Sequence, residues 1–277
     1  MMIVQIQSDS LNHQAILDRF TAACQADPRV LAATLYGSHA HNTADEWSDL
    51  DIGVIVADNA YDDFAAEREA FVRQLGEPLF IEDFDNDGLL FFILADGTEG
   101  ELSYDRASNF IEPYGVWRAL VDKVDILVEA KPRPASDAAE QIETLRRQIT
   151  WFFHDLSHFI TAMGRDQLWW AAGQLEILRR VCINLARLRH DFGDGEVGDD
   201  PWFKLDKVLP PEGLAGLEAT FAPLERTAML PAVQLILDFY RSSAVPLAEA
   251  HGIPYPSRLD RLMSTRLKRL ASADASL

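Results

Sequence analysis

Residues 36–56 constrain this 277-residue chain more than any other stretch. They read Tyr36-Gly37-Ser38, ten intervening residues, then Asp49-Leu50-Asp51-Ile52-Gly53-Val54-Ile55-Val56. The run Val30 to Tyr36 before the Gly-Ser pair is apolar, and so is the run after Asp51. A strand therefore feeds a Gly-Ser turn, and a second strand carries the acids away from it. Alternate residues of a strand share a face, which puts Asp49 and Asp51 side by side and Ile52, Val54 and Val56 on the other face. Two carboxylates so close repel each other unless a cation sits between them. Oxygen-only ligands beside a small Gly-Ser turn suit magnesium bound together with a nucleotide phosphate.

The remaining pattern divides the chain in two. Asn12 to Ala26 reads as an amphipathic helix with Ile16, Phe20 and Cys24 on one face. Strands follow at 30–36 and 50–56, then a helix at Tyr61 to Leu75 and a short strand at Pro78 to Ile81. Glu82 to Gly88 is an acidic turn. Leu89 to Ala95 is an apolar strand, Asp96-Gly97 a hairpin signal, and Glu99 to Asp105 the returning strand. Val124 to Val128 reads as the last strand, and Lys131 to Ser136 as a stiff linker in which Ser136 caps the next helix. Beyond it the pattern is helical: Asp137 to Met163, Asp166 to His190, Pro211 to Phe221, Ala228 to Ala250 and Ser257 to Leu270, with an acidic, Gly-rich loop at Asp191 to Pro201. The expected fold is an α+β domain with a mixed sheet over 1–131, followed by an all-α bundle over 136–277.

Charge narrows the partners. A net charge of −19 argues against a nucleic acid, whose binding rests on Lys and Arg neutralising phosphates; the acids either attract a polycationic small molecule or merely keep the protein soluble. No window approaches ~18 uninterrupted apolar residues, so no membrane span is expected. Met1 to Gln5 lacks the basic and apolar pattern of a secretory leader. Cys24 and Cys182 lie far apart without metal spacing, as in a cytoplasmic protein with two incidental thiols.

Two-metal phosphoryl chemistry calls for a further carboxylate from another strand. Glu99, Glu101 and Asp105 share one face of the returning strand, and alternation does not choose among them. The choice comes from a resemblance. Gly37, Ser38, Ala40, Asp49 and Asp51 resemble the signature of the polymerase-β-like nucleotidyltransferase superfamily, whose third acid sits centrally on this strand, at Glu101 here. Many members carry Arg-Gly where this chain has His41-Asn42. Asn tolerates a left-handed backbone, so the turn survives the change. Gly100-Glu101-Leu102, Phe153 to Leu156, Leu175 to Arg180, Pro223 to Arg226 and Leu259 to Leu262 extend the likeness. Over nearly its full length the chain resembles the lincosamide-type antibiotic nucleotidyltransferases and, more distantly, the streptomycin-modifying adenylyltransferases.

That resemblance implies magnesium-dependent transfer of AMP from ATP, or of another nucleoside monophosphate from its triphosphate, to a hydroxyl of a lincosamide or aminoglycoside. It implies Asp49 and Asp51 as metal ligands, Glu101 as metal ligand or general base, and Gly37 and Ser38 against the phosphates. It also implies an acceptor handled by the helical half, and a homodimer. AMP transfer to a protein hydroxyl, and a non-catalytic nucleotide-binding module, stand as alternatives.

Several further residues stand out. Trp47 reads as a cleft wall or a buried loop anchor, and His39 and His41 as ordinary exposed turn residues or, alternatively, as phosphate contacts. Glu176 reads as an acceptor contact or as the partner of Arg179 or Arg180 at helical spacing. His154 and His158, one turn apart, mimic a metal pair but lack the Glu of a zinc-protease motif, and so read as a helix face or a substrate contact. Trp151, Phe152, Phe153, Trp169 and Trp170 are expected first of all as core between two helices, with a wall of the acceptor pocket as the other reading for some of them. The basic residues Arg261, Arg266, Lys268 and Arg269 form a solvated terminal helix face.

Overall fold

The computed structural model describes residues 10–83, 88–113, 115–132, 138–190 and 200–274. The N-terminal Met1 to Gln5, most of the acidic turn at 82–88, Ser136 with most of its linker, and most of the 191–201 loop lie outside them. The chain divides into two compact units, Met1–Pro134 and Ala135–Leu277.

The first unit runs α1 (Ser10–Ala26), β1 (Val30–Leu35), α2 (Gly37–His41), β2 (Leu50–Val56), α3 (Tyr61–Val72), β3 (Pro78–Glu82), β4 (Leu89–Leu94), β5 (Glu99–Arg106) and β6 (Arg118–Asp122). The strands form one sheet in the order β3-β4-β5-β2-β1-β6. It is mixed, as expected: β2 and β5 pair in parallel, and every other pair is antiparallel. Ile16, Phe20 and Cys24 of α1 join Leu50, Ile52, Val54 and Val56 of β2 and Phe64 and Phe71 of α3 in one buried core. A smaller cluster of Ala32, Ile55, Phe110 and Leu127 packs separately.

The Asp96-Gly97 hairpin is present. Gly97 takes φ +91°, and the Asp96 carboxylate accepts the Thr98 N–H at 3.0 Å. Next to the acids, β5 runs close to β2 because Gly100 has no side chain. A Cβ there would lie 2.5 Å from Phe92 Cζ and 2.9 Å from the Leu50 carbonyl oxygen.

The last strand is a correction. It lies at Arg118–Asp122, and Val124 to Val128 is a turn with Val124 and Val128 exposed. The alternating Val124, Ile126 and Val128 of that segment imitate a strand. The Asp122 carboxylate instead collects the backbone N–H groups of Ile126 and Leu127, each at 3.1 Å, and Asp125 sits at φ +59°. An aspartate satisfying the backbone from its own side chain diverts it from a ladder.

The second unit is helical: α4 (Ala138–Gly164), α5 (Leu168–His190), α6 (Leu205–Val208), α7 (Pro211–Glu218), α8 (Arg226–Ala250) and α9 (Ser257–Asp274). Its core gathers Phe152, Phe153, Leu156 and Phe159 of α4 with Leu175, Leu178 and Cys182 of α5 and Ile236, Leu237 and Tyr240 of α8. Tyr240 stacks on Phe152 at 3.7 Å between ring centroids, and its hydroxyl donates to the Ile149 carbonyl at 2.7 Å. A buried phenol keeps its cost low by finding such a partner. The tryptophans depart from expectation: Trp151 is 64% and Trp169 82% exposed, so only the two phenylalanines of that aromatic group are core. The basic residues at 261, 266, 268 and 269 are solvent-exposed on α9. No helix among the described residues is long and apolar enough to cross a membrane.

Candidate active site

The Gly-Ser turn is a short helix, α2, that closes on Asn42 at φ 58°, ψ 35°. Asn in that left-handed position keeps the loop geometry where the resembling family often has Gly. The loop is tied to β2 by the Tyr36 N–H, which donates to the Asp51 carbonyl at 2.9 Å. Its far end is held from the sheet edge. Arg118 on β6 donates to the His39 carbonyl at 2.9 Å and to Asn42 Oδ1 at 3.4 Å. Arg118 escaped the sequence reading because β6 itself did.

Gly37 explains itself through Asp51. It lies at φ +59°, and a Cβ built there would fall 1.8 Å from Asp51 Oδ2 and 2.9 Å from Asp51 Cγ. The glycine is thus the floor on which the Asp51 carboxylate rests, and the conformation is one that side chains resist.

Asp51 stands directly opposite Glu101 in the parallel β2–β5 register. Paired residues of neighbouring strands point to the same side of a sheet, so the two carboxylates share a face. Asp105 pairs with Ile55, four residues further along, or about 13 Å away at strand rise. The register thus favours Glu101 over Asp105. Asp49 lies one residue before β2, after a turn that ties itself: Asp45 Oδ1 accepts the Trp47 N–H at 3.0 Å and the Ser48 hydroxyl at 3.1 Å. Burial, and then the charge of Asp49, push the Glu101 carboxyl above its ordinary pKa.

These acids do not make a closed cage. Among the described residues, the one group of three whose ligand atoms all lie within 4.8 Å of one another is His154, Asp155 and His158 in the second unit. Uncompensated anions keep apart. Magnesium suits that arrangement, because it is usually held by one or two carboxylates together with substrate phosphates.

A cleft of about 550 Å³ opens beside Asp49, lined also by His13, Trp47, Ser48, Gly97 and Glu99. That volume is in the range of small-molecule sites. Trp47 is 86% exposed, which removes the buried-anchor reading and leaves the cleft wall. His41 is exposed, whereas His39 is half-buried and meets the ring of His13 edge-on at 5.0 Å. Burial, then His13, lower the His39 pKa, with Asp49 pulling the other way. The Ser38 hydroxyl is buried with no hydrogen-bond partner among the described residues. His13 had no motif to mark it.

In the second unit, Glu176 forms an ion pair with Arg179, whose buried guanidinium also bonds to the Thr220 hydroxyl at 3.0 Å. Of the two partners offered by helical spacing, Arg179 pairs with Glu176. The thiols of Cys24 and Cys182 are free and buried.

No curated protein matches the chain. Among solved structures, a crystal structure of an aminoglycoside 6-adenyltransferase from Bacillus subtilis is similar at 13% identity with a TM-score of 0.43. The match covers 93% of this chain and 97% of that one. The family described as streptomycin adenylyltransferase matches residues 11–270. With nearly its whole length matched, this chain belongs to the streptomycin adenylyltransferase family and is an adenylyltransferase enzyme.

Proposed function

We propose that this enzyme transfers AMP from ATP to a hydroxyl of an aminoglycoside, with Asp49, Asp51 and Glu101 as the reacting acids. The observation that carries the reading is the parallel β2–β5 register, with Asp51 opposite Glu101 and Asp51 resting on Gly37. Asp49 and Asp51 would hold magnesium, a hard cation matched by their oxygens. When bound, it would supply neutralisation of the charge on the triphosphate during displacement.

The protein's own groups do the rest. Gly37 leaves room for phosphate to approach the loop, and the unpartnered Ser38 hydroxyl is available to donate to a phosphate oxygen. Glu101 accepts the proton of the acceptor hydroxyl. Its partial burial, the larger cause of its raised pKa, makes it a stronger base than an ordinary carboxylate. The freed oxygen attacks the α-phosphorus, the bond from that phosphorus to the bridging oxygen breaks, and pyrophosphate leaves. Trp47, exposed at the cleft mouth, offers a face for the base of the nucleotide.

Family and charge support this choice of acceptor. A surface of net −19 draws in a polyamine-bearing sugar, and an aminoglycoside is one. The homodimer implied by the resemblance belongs to the same reading, and light scattering tests it. The reaction is tested by incubating the protein with ATP, magnesium and a panel of aminoglycosides and lincosamides while following pyrophosphate. Release with an aminoglycoside such as streptomycin is expected. Release with lincosamides alone would move the acceptor class, and silence across the panel would remove the drug reading.

A further inference from the structure

Residues 151, 154, 155 and 158 fall at i, i+3, i+4 and i+7 of α4, so they form one stripe of its surface. Phe152, Phe153, Leu156 and Phe159 are buried and lock the helix into the core of its unit. The stripe is therefore presented from a rigid element. On it, His154 Nδ1 lies 3.1 Å from Asp155 Oδ1, and the rings of His154 and His158 meet at 4.2 Å between centroids. One ligand atom from each of the three lies within 4.8 Å of the others. The spacing of the two histidines alone gave no third ligand. The structure supplies it in Asp155, turned toward His154.

We propose that His154, Asp155 and His158 bind a divalent ion of the zinc class. Two imidazole nitrogens and a carboxylate oxygen are a donor set that suits zinc, nickel or copper, whereas magnesium and calcium prefer oxygen alone. Bonds of about 2.0–2.1 Å put tetrahedral ligands about 3.4 Å apart. The His154–Asp155 pair already has that spacing, and His158 closes the remainder by side-chain rotation. The His154 side chain is 61% exposed, which gives the ion an entry path and leaves a coordination position for water. This site uses none of the proposed reacting acids and belongs to the other unit of the chain.

Two tryptophans serve as reporters. Trp151 lies 6.2 Å from His154 and Trp170 lies 5.7 Å from His158, ring to ring, so a paramagnetic ion there quenches their fluorescence. The test titrates the full-length protein with zinc chloride by calorimetry, and with nickel chloride by tryptophan emission. Excess magnesium is present throughout to occupy the acids of the first unit. Wild-type protein is expected to take up one zinc and to lose emission with nickel. His154→Ala and His158→Ala should each weaken zinc binding about tenfold or more, and Asp155→Asn should weaken it as well. Circular dichroism of each variant, the double histidine variant included, checks that α4 is intact, and the near-isosteric Asp155→Asn variant tests the donor set with the least disturbance of the fold. Zinc uptake of wild-type strength in the double variant, or no uptake by wild-type protein, would overturn the site.

Discussion

Replacing Gly37 with Ala adds one methyl group where the Asp51 carboxylate now sits. That Cβ would lie 1.8 Å from Asp51 Oδ2, so the carboxylate must retreat by more than roughly 1 Å to reach ordinary contact. The residue must also hold φ +59°, which costs a side chain about 1–2 kcal/mol. The two costs fall on different observables. The backbone term lowers stability and moves the melting temperature by a few degrees. The displacement acts on catalysis, where misplacing a reacting group by about 1 Å costs about 10²-fold. Gly115→Ala separates them, since Gly115 has φ +73° and nothing within 4 Å of its added methyl. Both variants should melt lower than wild type by similar amounts. In a coupled pyrophosphate assay with ATP and the best aminoglycoside, Gly37→Ala should lose about two orders of magnitude in kcat/KM, and Gly115→Ala almost nothing. Gly37→Ala with near-wild-type kcat/KM would refute the idea that Asp51 must rest on that glycine.

Asp49→Asn and Asp51→Asn should each reduce turnover by at least about 10²-fold with the melting temperature unchanged or slightly raised, because repulsion among the acids is relieved. A drop in both activity and melting temperature would point to a structural role instead. Glu101→Gln should abolish turnover and flatten stability against pH. The folded state holds the Glu101 proton more tightly than the unfolded chain does, so in wild type this group makes stability fall as pH rises from 4.5 toward its raised pKa. Urea unfolding across that range, compared between the two proteins, reads the difference. In the helical unit, the Asp260 carboxylate accepts from Arg241 Nε at 3.1 Å, the Tyr255 hydroxyl at 3.0 Å and the Ser264 hydroxyl at 3.3 Å. Asp260→Asn should cost about 2 kcal/mol, allowing for the partly exposed arginine. Burial works to raise the Asp260 pKa, but these bonds outweigh it and leave it below 3.8. Its contribution is therefore full above that pH and lost as pH falls through the lower folded value, which acid unfolding of the Asn variant will lack.

What was legible in the sequence follows the reach of each signal. Two-residue alternation in β2 and β5 and the long apolar faces of α4, α5 and α8 are local patterns, and those elements appear within a few residues of where the sequence puts them. The pairing of Asp51 with Glu101 is a matter of register between strands about fifty residues apart, which alternation narrows to three candidates and does not decide. Val124 to Val128 misled because alternation says nothing of the Asp122 side chain that captures its backbone. Trp151 and Trp169 misled because a large apolar residue on a helix reads as core even where the stripe faces solvent. Arg118 and His13 reach the motif loop from β6 and α1 through tertiary packing alone.

A crystal of the protein grown with magnesium and a non-hydrolysable ATP analogue tests the central claim most directly. The expected electron density shows the ion coordinated by the carboxylates of residues 49 and 51 and by triphosphate oxygens, with Ser38 on phosphate and Glu101 facing the α-phosphorus. Nucleotide bound elsewhere, or an ion that leaves both aspartates uncoordinated, would contradict it.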